Sequence, residues 1–298
     1  MRKRSAYPDR VTLFRLEEPS EPLIAPVMVG ALDGWIDAAG AATAAAEHLA
    51  TDASRVATFD GDVLFDFRSR RPTLDIMDGI LTHLSWPELV IDRTRIEGRD
   101  LLVLHSAEPD LRWRELGASV LDVCRQLGVV EWVSIGTIPA AVPHTRPVPV
   151  LGTASVQGLL KHDVQQGPQG LLRVPSAALS TIEMAVIAGG VPSVGFYGQV
   201  PHYVGGPFAA ASVALLDHVG RHLGIGIPLG DLPEQAMSQR QRLDAAAAGD
   251  ADTREYIERL ERMAGEEQRI PSGDEIAQEF ERFLRNQGGE RPADPSTD

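Results

Sequence analysis

Short apolar runs alternate along the chain with segments in which apolar residues recur every three or four positions. The apolar runs, which predict β-strands, lie at 11–16, 23–32, 56–59, 133–138, 148–154 and 194–200. The segments with helical spacing lie at 38–50, 110–127, 176–188 and 208–223. Strands that alternate with helices predict an α/β fold, in which a mostly parallel sheet is covered by helices on both faces.

Two regions of the first half carry a period-two pattern instead. Val63, Phe65 and Phe67 alternate with their neighbours, which predicts extended chain there. The runs at 90–96 and 101–105 lie on either side of a turn at Gly98 and predict a β-hairpin.

The composition changes near residue 227. The segment 227–233 holds two prolines and a glycine, as linkers do. Three polar helical segments follow without any strand pattern, and they predict a small all-α appendage at 231–287, whose last helix begins at a capping box at 272–275. Residues 288–298, rich in Gly, Pro and Asp, are predicted to be a disordered tail. This leaves an α/β domain at 1–230.

Charge and cysteine content exclude several classes of function. The 298-residue chain has a net charge of −14, so it would repel phosphate backbones and anionic membranes, and we expect no nucleic-acid or membrane partner. The basic residues 2–4 are not followed by an uninterrupted apolar region, which argues against a signal peptide. The single cysteine, Cys124, cannot form an intrachain disulfide, which suits a cytoplasmic protein. Because it lies on a predicted amphipathic helix, we interpret it as a small buried residue.

The common catalytic motifs are missing. The sequence has no GxSxG nucleophile elbow, no GxxxxGK[ST] phosphate loop and no GxGxxG dinucleotide turn. His218 and His222 lie four residues apart on one helical face, a spacing that can hold a metal, but the glutamate of HExxH is absent. We therefore interpret this pair as a solvated helix face and expect neither a metal nor another cofactor.

Three loops that follow predicted strands carry the best candidates for a site. The stretch at 131–152 begins as a strand and then breaks at four prolines, and similar breaks follow two other strands. If these strands are parallel, their loops emerge at one edge of the sheet, where ligands bind in open α/β folds. The candidate residues are Asp33, Trp35, Asp37, Thr137, His144, Arg146, Gln199, His202 and Tyr203.

The chemistry of these loops leaves several interpretations open. Asp33 and Asp37 oppose an anion, and they suit a hydroxyl, an amine or a metal better, or they cap the following helix. Trp, Tyr, His and Arg line small-molecule pockets, but they are equally typical of protein-binding surfaces and subunit contacts. The proline-rich loop can also be a rigid connector.

The same loops resemble a known family. The segments GALDGWIDAAGAA (30–42), GTIPAAVPHTRPVPVLGTAS (136–155) and GFYGQVPHYV (195–204) resemble proteasome-assembly-chaperone-two-like proteins, most closely their actinobacterial branch. PSGDEIAQEFERFLRNQ (271–287) resembles the helical C-terminal extension of that branch. The resemblance spans residues 10–287.

The resemblance implies a three-layer α/β/α domain similar to nucleoside phosphorylases, and a homo-oligomer, with a trimer preferred. Relatives that assist proteasome assembly make α-subunits of the proteasome a possible partner. Members that dock on the core particle often end in a hydrophobic residue, a tyrosine and one more residue, a pattern that residues 295–298 do not match.

Two hypotheses follow for the function. In the first, the protein is a non-enzymatic chaperone or scaffold that acts through protein contacts. In the second, it is a small-molecule-binding protein or an enzyme of phosphorylase-like fold, with a pocket at the three loops.

Overall fold

The computed structural model describes residues 13–267, except 18, 20, 162–163 and 168–169. Its strands are β1 Phe14–Leu16, β2 Val27–Gly30, β3 Ser54–Phe59, β4 Thr73–Met77, β5 Ile80–Ser85, β6 Leu89–Ile96, β7 Arg99–Ser106, β8 Glu131–Ala140, β9 Val150–Ala154, β10 Gln165–Gln166 and β11 Ser193–Pro201. Its α-helices are α1 Ala41–Leu49, α2 Gly61–Leu64, α3 Trp113–Leu127, α4 Ala178–Ala188, α5 Ala209–Leu223, α6 Leu232–Gly249 and α7 Ala251–Glu267.

Within these residues, nine strands form one mixed sheet in the order β1-β3-β6-β7-β2-β8-β11-β9-β10. The four central strands β7, β2, β8 and β11 are parallel. The expected β6–β7 hairpin adds antiparallel strands on one side, and β9 pairs antiparallel with β11 on the other. The prediction of a parallel sheet therefore holds for its centre, and antiparallel pairs flank it.

Helices cover both faces of this centre. On one face Met28, Trp132 and Leu102 pack with residues of α3 and α4, and on the other Val29 and Val133 pack with α1 and α5. Strands buried on both faces need continuous apolar sequence, which is why β2 and β8 were evident as unbroken runs. The result is a three-layer α/β/α arrangement.

Small residues set the distance between the sheet and its helices. A Cβ placed on Gly30 would lie 2.7 Å from the ring of Trp132 and 2.9 Å from Leu179 of α4, so this strand position requires glycine. On α3, Cys124 is buried in the apolar layer, and burial raises the pKa of its thiol to about 12. A thiol that stays protonated at neutral pH fits a packing role.

The beginnings of two helices differ from expectation. Asp110 does not cap α3, which begins at Trp113; its carboxylate instead accepts a hydrogen bond from the backbone N–H of Asp66 at 3.0 Å. Ser176 does not cap α4 either, because Glu108 accepts the hydrogen bond of the Ala178 N–H at 2.7 Å. A carboxylate from a distant loop thus performs the role that sequence assigned to the neighbouring serine.

The prediction of extended chain around Val63 is wrong. Residues 61–64 form the short helix α2, whose first turn is capped by the carboxylate of Asp60. Burial of Leu64 and Phe65 in the apolar layer favours this turn over an extended chain. A separate two-stranded hairpin, β4–β5, follows it and does not join the main sheet.

After the linker, α6 and α7 follow each other and are joined at Asp250. The third predicted helix with its capping box, and the tail at 288–298, lie outside the described residues. In the described part, no helix is both long enough and apolar enough to cross a bilayer.

Candidate functional site

The three candidate loops leave the sheet at one edge. They follow β2, β8 and β11, which are adjacent and parallel, so their carboxyl ends meet. Backbone hydrogen bonds tie them together: Thr137 N–H donates to the Ile36 carbonyl at 2.7 Å, and His202 N–H donates to the Ala140 carbonyl at 3.1 Å.

Asp37 holds the first loop to the start of α1. Its carboxylate accepts hydrogen bonds from the N–H of Ala42 at 2.8 Å, from the N–H of Thr43 at 3.3 Å and from the Thr43 hydroxyl. Thr137, fully buried, lies 3.4 Å from the same carboxylate and donates to the Ala38 carbonyl at 2.8 Å. Both oxygens of Asp37 are therefore occupied by the fold, as the capping interpretation predicted.

Asp33 belongs to a second network. It forms a two-point ion pair with Arg70, at 2.5 and 3.0 Å, and accepts the Glu108 N–H at 2.8 Å. Gly34, at a φ of 108°, packs so closely on Glu108 that a Cβ would lie 2.6 Å from its carboxylate. Asp33 thus fastens its loop to the turn before β4 and to the loop after β7.

His144 belongs to a third network with Tyr203. The Tyr203 oxygen lies 2.8 Å from both the backbone nitrogen and Nδ1 of His144. The two contacts agree if the tyrosine accepts the backbone N–H and donates its own proton to Nδ1, which leaves the Nε2 proton for Asp244 at 3.1 Å. Burial lowers the pKa of His144 more than Asp244 raises it, so the neutral imidazole required by this pattern is the favoured form.

The α6–α7 pair covers the His144 loop. Arg240 donates to the His144 carbonyl at 3.3 Å, and Glu261 accepts the hydroxyl of Thr145. Tyr256 lies 3.0 Å from Nε2 of His202, and its ring packs edge-on against His202 and Tyr203. With this cover His144 is only 5% exposed, so its imidazole faces protein rather than solvent.

The remaining candidates face outward or serve the backbone. Trp35 is 60% exposed, and Arg146 is exposed on the proline-rich loop. Gln199 is half-buried, and its N–H donates to the Pro149 carbonyl at 2.9 Å. The set thus separates into residues that fasten the loops and the exposed residues Trp35 and Arg146, which are available to a partner. His202 is also exposed, but its Nε2 lies against Tyr256 of α7.

Sequence reasoning missed the partners of these residues. They are Arg70, Glu108, Asp244, Tyr256 and Glu261, which come from a turn, a loop and two helices. Only the Arg240–Asp244 ion pair, with its i,i+4 spacing, left a local signal. Nothing in the sequence pattern assigns it to the His144 loop.

The interpretation of His218 and His222 on α5 as a solvated helix face is wrong for His222, which is only 7% exposed. His222 is buried and lies 2.7 Å from the carboxylate of Glu131, and His218 lies 2.8 Å from the Ala214 carbonyl. No cluster of three or more His, Cys, Asp or Glu side chains able to hold a metal occurs among the described residues.

Comparison with known proteins gives one family. The model of the PAC2 family matches residues 31–247. A Mycobacterium tuberculosis protein of unknown function is 33% identical over 88% of this chain and 94% of its own, with a TM-score of 0.80. A PAC2 family protein from Streptomyces avermitilis and a proteasome-assembly chaperone homologue from M. tuberculosis are each 34% identical, over 78% of this chain and 99% of theirs, with TM-scores of 0.70. Curated proteins yielded no match.

Proposed function

Because this chain belongs to the PAC2 family, we propose that it acts through protein contacts as an assembly factor for the proteasome core particle, with α-subunits as its clients. The observation that carries the proposal is the 34% identity to a proteasome-assembly chaperone homologue, which this chain matches over 99% of that protein's length. As part of the same proposal, it belongs to the actinobacterial branch and works in the cytoplasm as a homo-oligomer, preferably a trimer.

The organisation of the loops supports binding of a protein rather than a small molecule. The polar atoms of Asp37, Thr137 and His144 form hydrogen bonds within the protein. Trp35 and Arg146 remain exposed at the same edge of the sheet. Exposed Trp and Arg residues carry much of the binding energy in protein interfaces. We therefore assign the client surface to the exposed members of the loops.

A binding measurement with purified proteins tests this function. The purified chain is mixed with proteasome α-subunits of the same organism, and the affinity is measured by biolayer interferometry. We expect binding, and a loss of affinity of about thirtyfold for Trp35→Ala, the scale of a single interface hot spot. The matched control is Val130→Ala, because Val130 is also exposed but precedes β8, at the opposite edge of the sheet.

Two results would reject the proposal. One is the absence of any association between the wild-type chain and the α-subunits. The other is normal assembly of the core particle in cells from which the gene has been deleted.

A pocket at the loops is the alternative proposal, and it comes with a likeness of the fold to nucleoside phosphorylases. It requires the extension at 231–287 to act as a lid, since Asp244, Arg240 and Tyr256 cover the polar atoms around His144. The networks of Asp33, Asp37 and His144 are separate, so opening the lid would expose His144 and Tyr203 without bringing the aspartates to them. We favour the protein-binding function for this reason.

A further inference from the structure

The β4–β5 hairpin projects a set of large apolar side chains into solvent. Every residue of both strands is exposed. The turn at Asp78 and Gly79 has φ values of 52° and 80°, as a tight two-residue hairpin turn requires. An isolated two-stranded hairpin is only marginally stable in water, so this element needs a surface to pack on.

One face of the hairpin carries four large aliphatic side chains, on either side of a register shift between Asp75 and Ile76. Leu74 pairs with Leu84, and Ile76 pairs with Leu81, so these four side chains share a face. Met77 and Ile80 lie at the tip on the other face, and Trp86 stands at the base against Phe67, with ring centroids 4.7 Å apart. The seven large side chains other than Phe67 are between 43% and 67% exposed.

A second set of exposed apolar side chains lies on α4, on the segment that leads into it and at the end of β9. Leu171, Leu172 and Val174 precede the helix, Met184 lies on it, and Val156 follows β9; they are 58% to 81% exposed. The N–H of Ser155 donates to the carbonyl of Ser193, and the Ser193 hydroxyl donates to Glu183 at 2.6 Å. These contacts hold the segment before Val156 next to the segment of α4 that carries Met184. We call this set the α4 patch.

We propose that the hairpin of one copy of this chain docks on the α4 patch of a second copy. The two surfaces are different, so the contact is head-to-tail, and repeating it produces a ring when the rotation between copies closes. The inference rests on the homo-oligomer proposed above and assigns its two surfaces.

The apolar areas and the charges of the two surfaces both support a second copy of the chain as the partner. If a large apolar residue offers about 180 Å² when fully exposed, the four side chains of the aliphatic face present roughly 400 Å² and the α4 patch roughly 600 Å². Together this is about 1,000 Å² of apolar area, near the apolar share, about 57%, of a standard interface of ~1,600 Å². The hairpin carries Asp78 at its turn, and the α4 patch carries Arg173. Neither forms an ion pair within the described residues, so each remains available to the other surface.

Two variants separate the surfaces. The hairpin variant is Ile76→Glu with Leu81→Glu, and the patch variant is Leu171→Glu with Leu172→Glu. By light scattering after size exclusion, we expect the wild type to exceed the 32.2 kDa of one chain and each variant alone to be monomeric. An equimolar mixture should form a dimer of twice that mass, because it retains one intact hairpin and one intact patch. Met237→Glu, an exposed residue on α6, is the matched control and should keep the wild-type mass.

Each alternative result overturns the proposal. A monomeric wild type would show that the interface does not form. A variant that stays oligomeric would show that the substituted surface is not part of the interface. A mixture that stays monomeric would exclude head-to-tail pairing. If a variant fails to fold, hydrogen exchange of the wild type at high and low concentration replaces it: residues 73–86 and 171–176 should become protected together, and unchanged exchange would refute the contact. Loss of α-subunit binding by an intact oligomer would instead count only against the chaperone function.

Discussion

At the residue scale, two aspartates of one loop have different roles that their sequence context does not distinguish. Both follow β2 within seven residues. Asp37 caps α1, which the proximity of an alanine-rich helix made predictable. Asp33 pairs with Arg70, 37 residues away, because α2 and the turn after it bring that arginine back to the edge of the sheet. Local capping can be inferred from sequence, whereas a partner supplied by tertiary structure cannot.

His144 makes the packing of the α6–α7 pair sensitive to pH. The groups that face it are Tyr203, Arg240, Asp244 and Glu261, and burial outweighs the carboxylates in lowering its pKa from 6.5. A histidine whose pKa is lowered by folding contributes stability that is fully present above the unfolded pKa of 6.5 and is lost as the pH falls from there through the lower folded pKa. We expect the free energy of unfolding, from urea titrations, to decrease between pH 7.5 and pH 5.5.

The control for this prediction is His144→Gln, which has no proton to gain in that range. Its stability should be lower than that of the wild type at pH 7.5, and the gap should narrow toward pH 5.5. The carboxyl groups of Asp92 and Asp100 have lowered pKa values and titrate below this window, so they do not contribute to the difference. A constant gap between the two proteins would contradict the assignment.

At the element scale, the sequence pattern identified the strands and helices of the centre better than their directions. β2, β8 and β11 were expected to be parallel neighbours and are. The pattern of β9 is equally apolar, yet it runs antiparallel to β11, because strand direction depends on the path of the connecting loop and leaves no mark on periodicity.

The sequence does contain a pattern typical of the β4–β5 hairpin, but the alternating residues before it drew attention to another segment. Asp78-Gly79 between apolar residues is the strongest short-range indication of a tight hairpin turn. The alternating residues before it, from Val63 to Phe67, suggested a strand but form α2 and a turn, since burial of Leu64 and Phe65 decides the local structure. Period-two patterns of three residues are too short to exclude a helical turn.

Deletion of residues 231–298 tests the proposed division of the chain. We expect residues 1–230 to remain folded and soluble, because the sheet and helices α1 to α5 contain both apolar layers. Of the described residues after 230, only Leu232 adds to the layer beside α5. Circular dichroism should retain a cooperative thermal transition at a lower temperature, since Val200 and Phe208 lose the packing of Leu243. Insoluble aggregate, or a gradual loss of signal, would show that the helices are part of the domain.

At the scale of the whole molecule, the candidate site is the edge of the sheet at which three loops meet. Helices α6 and α7, at the end of the described chain, cover part of this edge. The sequence predicted the edge, since three strand-end loops with polar residues must meet if their strands are parallel. It could not predict the cover: His144 and Asp244 are 100 residues apart, and their contact depends on how α6 lies against α5. Which residues of this edge are exposed to solvent can therefore be stated only once the positions of α6 and α7 are known.

The effect of salt on the association of copies should show which of two electrostatic contributions is larger: repulsion between the net charges, or an ion pair across the interface. Each chain carries a net charge of −14, so copies repel one another at low ionic strength, and salt screens that repulsion beyond about 10 Å at 0.1 M. A pair between Arg173 and an aspartate of the hairpin would weaken with salt, but an exposed pair contributes only about 0–1 kcal/mol. Because the interface itself is apolar, the repulsion should dominate. We expect the dissociation constant, from sedimentation at 50 and 300 mM NaCl, to fall by roughly threefold or more as the screening length shrinks. Arg173→Ala should keep this trend, whereas a dissociation constant that rises with salt would mean that ion pairs, and not the aliphatic face of the hairpin, hold the copies together.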